Sequence, residues 1–182
     1  MKKHFEIRFG GSGGQGMMLM GDILAEATGL VENKEILLTK SYGPESRGGA
    51  CRSELIIDDS PINYPVVTKP DFVLALTQLA CDKYHVDMNP DGILLTDPMF
   101  VKNPPKSVKN HYSLPMTQIA KDVTGKEITA NIVAMGAIIV LSDCATIEAV
   151  RQTIIDHFPK NLVDINVKAF DAGVAAAKEL LK

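Results

Sequence analysis

Two stretches of this chain have the residue types needed to handle an anion. The first reads Phe9-Gly10-Gly11-Ser12-Gly13-Gly14-Gln15-Gly16, and the second Ser41-Tyr42-Gly43-Pro44-Glu45-Ser46-Arg47-Gly48-Gly49. The five glycines of the first lack the Cβ atoms that keep a ligand away from the backbone. Between a strand and a helix, such a loop aims N–H groups and the positive end of the helix dipole at negative charge. In the second stretch Arg47 offers a planar fork to a phosphate or carboxylate. Lys40 and Arg52 lie close enough in sequence to add positive potential, and Glu45 to cancel it. An exposed, flexible loop is the alternative reading of so polar a segment. The expected chemistry is the binding of a phosphate-bearing ligand or partner, with the second loop facing the first.

Gly11, Gly13 and Gly16 also satisfy the G-x-G-x-x-G dinucleotide fingerprint. Nicotinamide binding, however, asks for an acidic residue about 20 positions further on, at the end of the second strand. Here that strand ends in Thr39-Lys40. Classical nicotinamide binding, a purely structural tight turn and a different phosphate ligand all remain open, and the last accounts best for the residues.

Other chemistry is thinly represented. His4, His85, His111 and His157 show no metal-ligand spacing and no partnership with a nucleophile. Cys51, Cys81 and Cys144 are widely spaced without a C-x-x-C, so three free, buried or half-buried thiols are expected instead of a zinc or iron–sulfur site. The reading therefore assigns no catalytic residue and no metal ligand to this chain.

The elements that must hold the two loops follow from periodicity. Residues 4–9 alternate apolar and polar, a strand signal. Residues 17–28 carry Met17, Met20, Leu24 and Ala27 at helical spacing, with Gly29 as the stop and Gly21 marking close packing on a sheet. Residues 35–39 form an apolar run of buried-strand type, giving strand, glycine loop, helix, strand. Further strands are expected at 51–57, 71–76, 92–96 and 111–114. Helices are expected for about ten residues from Thr77, then at 115–123, 131–141, 146–157 and 164–181, where Ala172, Gly173 and Ala175 suit close packing. Strands alternating with helices, followed by helices alone, predict an α/β fold: a Rossmann-like, mostly parallel sheet flanked by helices, with a helical C-terminal third.

The 182 residues are expected to form one domain, with no repeat or linker. A net charge of −3 and a pI near 5.8 give no global attraction to nucleic acid. The longest uncharged run, 128–142, falls short of the roughly 20 residues of a membrane span. With no signal-like N-terminal segment either, a cytoplasmic protein is expected.

At these residues the chain resembles a known family. The two loops, Ile62-Asn63-Tyr64-Pro65 with Lys69-Pro70-Asp71, Thr129-Ala130-Asn131-Ile132-Val133 with Met135-Gly136-Ala137, and Asn166 with Ala169-Phe170 look like the gamma subunit of 2-oxoacid:ferredoxin oxidoreductases. The resemblance runs in order over essentially the whole chain. It implies a multisubunit enzyme that oxidatively decarboxylates a 2-oxoacid, forms an acyl-CoA and reduces ferredoxin. Thiamine diphosphate, magnesium and iron–sulfur clusters would sit on alpha-, beta- and delta-type partners, and this chain would not be catalytic alone. It would help to hold coenzyme A and to close the active site. Carried over residue by residue, the candidate contacts are Gly11, Ser12, Gly13, Gly14, Gln15, Gly16, Ser41, Tyr42, Gly43, Glu45, Ser46 and Arg47, with Arg47 the first choice as phosphate partner. The form of the second loop is most similar to the 2-oxoglutarate branch; pyruvate, branched-chain and indolepyruvate enzymes have related subunits. A free-standing nucleotide-binding reductase and a purely structural assembly subunit are the alternatives.

Overall fold

In the computed structural model, which describes residues 3–41 and 50–182, strand β1 (His4–Ser12) is the axis of the sheet. Its alternation sends Phe5, Ile7 and Phe9 into a core shared with helix α1 (Met17–Glu26). The polar positions on the opposite face are buried as well, Glu6 at 7% and Arg8 at 2% exposure. Each has partners, as buried charge requires. Arg8 donates to Glu54 at 2.7 Å, to Asp87 at 2.5 Å and to the Tyr84 carbonyl at 3.2 Å. Glu6 accepts the N–H groups of Thr68 and Lys69 at 2.9 and 2.7 Å, which ties down the segment before Asp71.

The other strands are β2 (Glu35–Ser41), β3 (Ala50–Asp58), β4 (Phe72–Ala75), β5 (Ile93–Thr96) and β6 (Asn110–Ser113), in the spatial order β2-β3-β1-β4-β5-β6. Five of the six run in one direction and β3 alone runs against them. The sheet is thus mostly parallel, as expected, but it does not begin like a dinucleotide-binding fold. β2 is separated from β1 by antiparallel β3. The physical reason is length: the eight residues between Ser41 and Ala50 are too few for the crossover of a dozen or more that parallel neighbours need. β2 is also an edge strand, half-exposed along its length, and not the buried strand expected at 35–39.

Helix α2 (Gln78–Tyr84) packs with Val73, Ala75 and Leu94 on one face of the sheet. The opposite face is covered by α1 and by the core to which α3 (Met116–Thr124), α4 (Ala130–Ser142), α5 (Ile147–His157) and α6 (Lys160–Leu180) contribute. Thr77 and Thr146 cap α2 and α5 by accepting the N–H groups of Ala80 and Ala149. α2 is shorter than expected, at seven residues. α6 begins at Lys160, directly after Pro159, earlier than the expected residue 164.

Gly29 does not stop α1. The helix widens into a π-turn, Ala27–Val31, in which the Thr28 hydroxyl donates to the Leu24 carbonyl, and the first positive φ falls at Asn33. Gly29 instead makes room for Ile36, whose Cδ1 would lie 3.0 Å from a Cβ there. Gly21 behaves as expected, since a Cβ would meet Ser53 Oγ at 2.2 Å. The small residues of α6 do likewise: a Cβ on Gly173 would lie 1.9 Å from the Val133 carbonyl oxygen, and one on Gly136 2.2 Å from that of Phe170. α4 and α6 therefore cross with their backbones nearly in contact. Among the described residues no helix is long and apolar enough to cross a membrane.

Candidate functional site

α1 leaves β1 on one face of the sheet and α2 leaves β4 on the other. Neighbouring parallel strands whose following helices diverge leave a crevice beyond their carboxyl ends, the usual ligand position in an open α/β sheet. The glycine stretch lies there, but it divides into two parts. Gly10, Gly11 and Ser12 belong to β1, and only residues 13–16 form the turn. Gly14 and Gly16 have φ of 89° and 77°, a conformation that side chains other than glycine resist. A Cβ on Gly13 or Gly14 would touch nothing among the described residues, so toward them the turn presents open backbone.

Gly16 is the N-cap of α1, and no side chain among the described residues caps this helix. Its first intrahelical bond runs from Met20 N–H to the Gly16 carbonyl at 3.0 Å, which leaves the amides of the first turn free for an anion. Gln15 serves as a brace more than as a free donor. Its Oε1 accepts the Ser12 N–H at 2.7 Å, and its Nε2 donates to the Leu76 carbonyl at 3.1 Å, tying the end of β1 to the end of β4.

Two cavities flank the turn. One, of about 280 Å³, is lined by Gln15, Leu76, Phe100 and Thr117; the other, of about 250 Å³, by Leu19, Phe158, Leu162 and Asn166. Gly14, Ile128 and Asn131 line both. Asn131 is 5% exposed, its Oδ1 accepts the Ile132 N–H at 3.0 Å, and its Nδ2 is turned toward Gly16. Each cavity is small against the roughly 300–1,000 Å³ of a self-sufficient ligand pocket. Ile128, 74% exposed, stands between them as an apolar post facing outward.

The charges nearby are mostly spent. Lys40 is paired with Asp22 at 2.6 Å and Arg52 with Glu54 at 3.4 Å, so neither is the free source of positive potential expected of it. Lys126 lines the second cavity. Asp97, fully buried at the end of β5, is not an available acid: it accepts the N–H and hydroxyl of Thr117, each at 2.7 Å, and the Met99 N–H at 2.9 Å.

The second loop joins this edge through its roots. Ser12 lies opposite Ala50 in the β1–β3 ladder, and Ser41 lies opposite Arg52 in the β2–β3 ladder. Tyr42, Gly43, Glu45, Ser46 and Arg47 fall outside the described residues, and the expectation that the second loop faces the first falls outside them too. Leu76, Phe100 and Thr117 were missed by sequence reasoning. They share no motif and meet only because β4, β5 and α3 end or begin at one edge.

The donor set does not fit a metal cluster. Among the described residues no three His, Cys, Asp or Glu side chains are grouped so that they could hold a metal ion. The three thiols are buried and separate, and burial pushes Cys81 up to about 11 and Cys144 up to about 12, which favours the protonated form over the metal-binding thiolate.

Residues 6–176 match the pyruvate ferredoxin/flavodoxin oxidoreductase family, and the chain belongs to it. Within that family it is a gamma subunit of the 2-oxoacid:ferredoxin oxidoreductase type. It is 42% identical to the 2-oxoglutarate synthase subunit KorC of Methanocaldococcus jannaschii, over 99% of this chain and 97% of that one. Its fold superposes on the keto/oxoacid ferredoxin oxidoreductase gamma subunit of Geobacter sulfurreducens with a TM-score of 0.88, at 40% identity and over 98% of both chains. It also superposes, with a TM-score of 0.86 and 25% identity, on a 2-oxoglutarate:ferredoxin oxidoreductase from Magnetococcus marinus solved with 2-oxoglutarate, coenzyme A and succinyl-CoA bound; the match covers 98% of this chain and 32% of that longer one. Subunits of ketoisovalerate and pyruvate oxidoreductases align at lower identity.

Proposed function

We propose that this chain, as one domain spanning residues 1–182, supplies one wall of a coenzyme A site in an enzyme that converts 2-oxoglutarate, coenzyme A and oxidised ferredoxin to succinyl-CoA, carbon dioxide and reduced ferredoxin. The observation that carries the reading is the uncapped first turn of α1, framed by Gly14 and Gly16, at the mouth of the β1–β4 crevice. Open amides at a helix N-terminus suit a phosphate. The two small, outward-facing cavities suit a ligand whose remaining surface is covered by another subunit. Asn131 joins the candidate contacts Gly11, Ser12, Gly13, Gly14, Gln15, Gly16 and Ser41, with Tyr42, Gly43, Glu45, Ser46 and Arg47 completing the set from the second loop.

Thiamine diphosphate, magnesium and iron–sulfur clusters belong on alpha-, beta- and delta-type subunits in this reading, since the thiols and carboxylates described above do not fit them. Three protonated, unpaired thiols agree with a cytoplasmic setting. The free-standing nicotinamide reductase loses support because β3 occupies the place beside β1 where a dinucleotide fold puts its second strand. The test is to purify the assembled enzyme from its source and compare kcat/KM for 2-oxoglutarate, pyruvate and 2-oxoisovalerate, with coenzyme A and ferredoxin present. The highest value with 2-oxoglutarate is expected. Preference for another 2-oxoacid would overturn the substrate, and recovery of the chain alone with a tightly bound nicotinamide would overturn the whole reading.

A further inference from the structure

The two cavities beside the glycine turn differ in what they offer an anion. In the first, the polar side chains are committed. Gln15 spends its oxygen on the Ser12 N–H and its nitrogen on the Leu76 carbonyl, and the Thr117 hydroxyl donates to Asp97. Glu127 lines this cavity and, although paired with Lys121 at 3.1 Å, brings a carboxylate that repels negative charge.

The second cavity has the opposite character. Gly16 and Leu19 line it, which places the uncapped first turn of α1 in its wall. Asn131, 5% exposed, has no acceptor for its Nδ2 among the described residues, and a buried N–H left without one is costly. Asn166 does not compete for the same partner, because its own Nδ2 donates to the Leu162 carbonyl at 2.9 Å. Lys126 supplies the charge. No carboxylate among the described residues pairs with its ammonium, while its backbone is fixed: its N–H donates to the Thr124 hydroxyl at 3.1 Å and its carbonyl accepts the Thr129 hydroxyl at 2.9 Å.

We propose that Lys126 is the cationic partner of a phosphate group of the ligand, held in the second cavity between the first turn of α1 and the Asn131 amide. Phe158, Leu162 and Ile165 receive the uncharged portion beside it. Every group of this subsite lies within residues 14–19, 126–132 and 158–166. The inference deepens the coenzyme A reading and rests on it, and the experiment separates the two.

In the assembled enzyme, Lys126→Gln removes a charge from an exposed position and leaves the fold alone. The coenzyme A KM is expected to rise about five-fold at low ionic strength, the upper range for a solvent-exposed charge contact, and less in high salt. The 2-oxoacid KM should not follow it, and Lys126→Arg should restore the coenzyme A value. Repeating the comparison with dephospho-coenzyme A locates the phosphate: a penalty that vanishes upholds the proposal at the 3′-phosphate, and one that persists upholds it at the diphosphate. Asn131→Ala removes the buried donor and is the control, with a rise of about ten-fold expected. A rise in Asn131→Ala beside no change in Lys126→Gln overturns the role of Lys126 and leaves the coenzyme A reading standing. If neither variant moves the coenzyme A KM, the reading and the proposal fall together. If Lys126→Gln raises both KM values alike, its effect is not on the phosphate, and the proposal is overturned.

Discussion

A Cβ on Gly16 would lie 2.1 Å from Nδ2 of Asn131, so the turn before α1 and the first turn of α4 are fitted to each other at a position where φ is already 77°. Two costs meet there: the left-handed backbone, about 1 kcal/mol or more for a non-glycine residue, and the overlap with the amide. Gly16→Ala is expected to destabilise the protein by about 2–4 kcal/mol in urea denaturation. Combining it with Asn131→Ala should recover the steric part and leave the backbone part, a cost below the sum of the two single variants. A fully additive double variant would show that the two residues do not bear on each other.

The ion pair between Arg8 and Glu54, with side chains 3% and 6% exposed, is a liability if broken on one side only. Arg8→Met leaves the buried Glu54 with the longer contact to Arg52, at 3.4 Å, and is expected to cost about 3 kcal/mol, the low end for a broken buried pair. Replacing both, with Arg8→Met and Glu54→Leu, should restore most of that stability, because the pair's own desolvation cost disappears with it. Asp87, half-exposed, then returns to water at little expense. Denaturant midpoints of the three variants decide this, and a double variant as weak as Arg8→Met would refute it.

His4 and Asp58 are bonded at 2.6 Å across the first rung of the β1–β3 ladder, with Glu6 at 3.4 Å from the other ring nitrogen. The bond to Asp58 raises the pKa of His4 above its usual value of 6.5. That contribution is complete below the usual value and is lost as pH climbs through the raised one. The same bond lowers Asp58 from its usual 3.8, so its contribution is present above that value and is lost as pH falls through the lowered one. The pair therefore helps most in mildly acidic solution and weakens above neutrality. With half of His4 in solvent, the effect stays under about 1 kcal/mol. His4→Gln should flatten the stability profile between about pH 6 and pH 8. An unchanged slope there would rule the pair out as its source.

Much of this architecture is legible in the sequence, because burial imposes periodicity. The 4–9 alternation and the nearly all-apolar 131–141 run each name their element, and the helices expected from Thr77 and Thr146 begin there, with those two residues as their caps. The direction of β3 was legible too, in the eight residues separating it from β2, but the glycine fingerprint suggested a parallel neighbour instead. Arg8 could not be read correctly from its own segment: an arginine in an alternating strand looks solvated, and only Glu54 and Asp87, far away in sequence, make it an interior residue. The crevice was half legible. Gly14, Gln15 and Gly16 stood out by composition, whereas Leu76, Phe100 and Thr117 are ordinary residues given meaning by the edge they share.

The bare crossing of α4 and α6 has a mechanical consequence. Where side chains separate two helices, rotamer changes let one slide or roll against the other; at Gly136 and Gly173 no such layer exists to yield. The wall that carries Asn131 and the wall that carries Leu162 and Asn166 are thereby locked into one stiff block. A ligand of the proposed site would therefore meet these two walls as a single fixed surface.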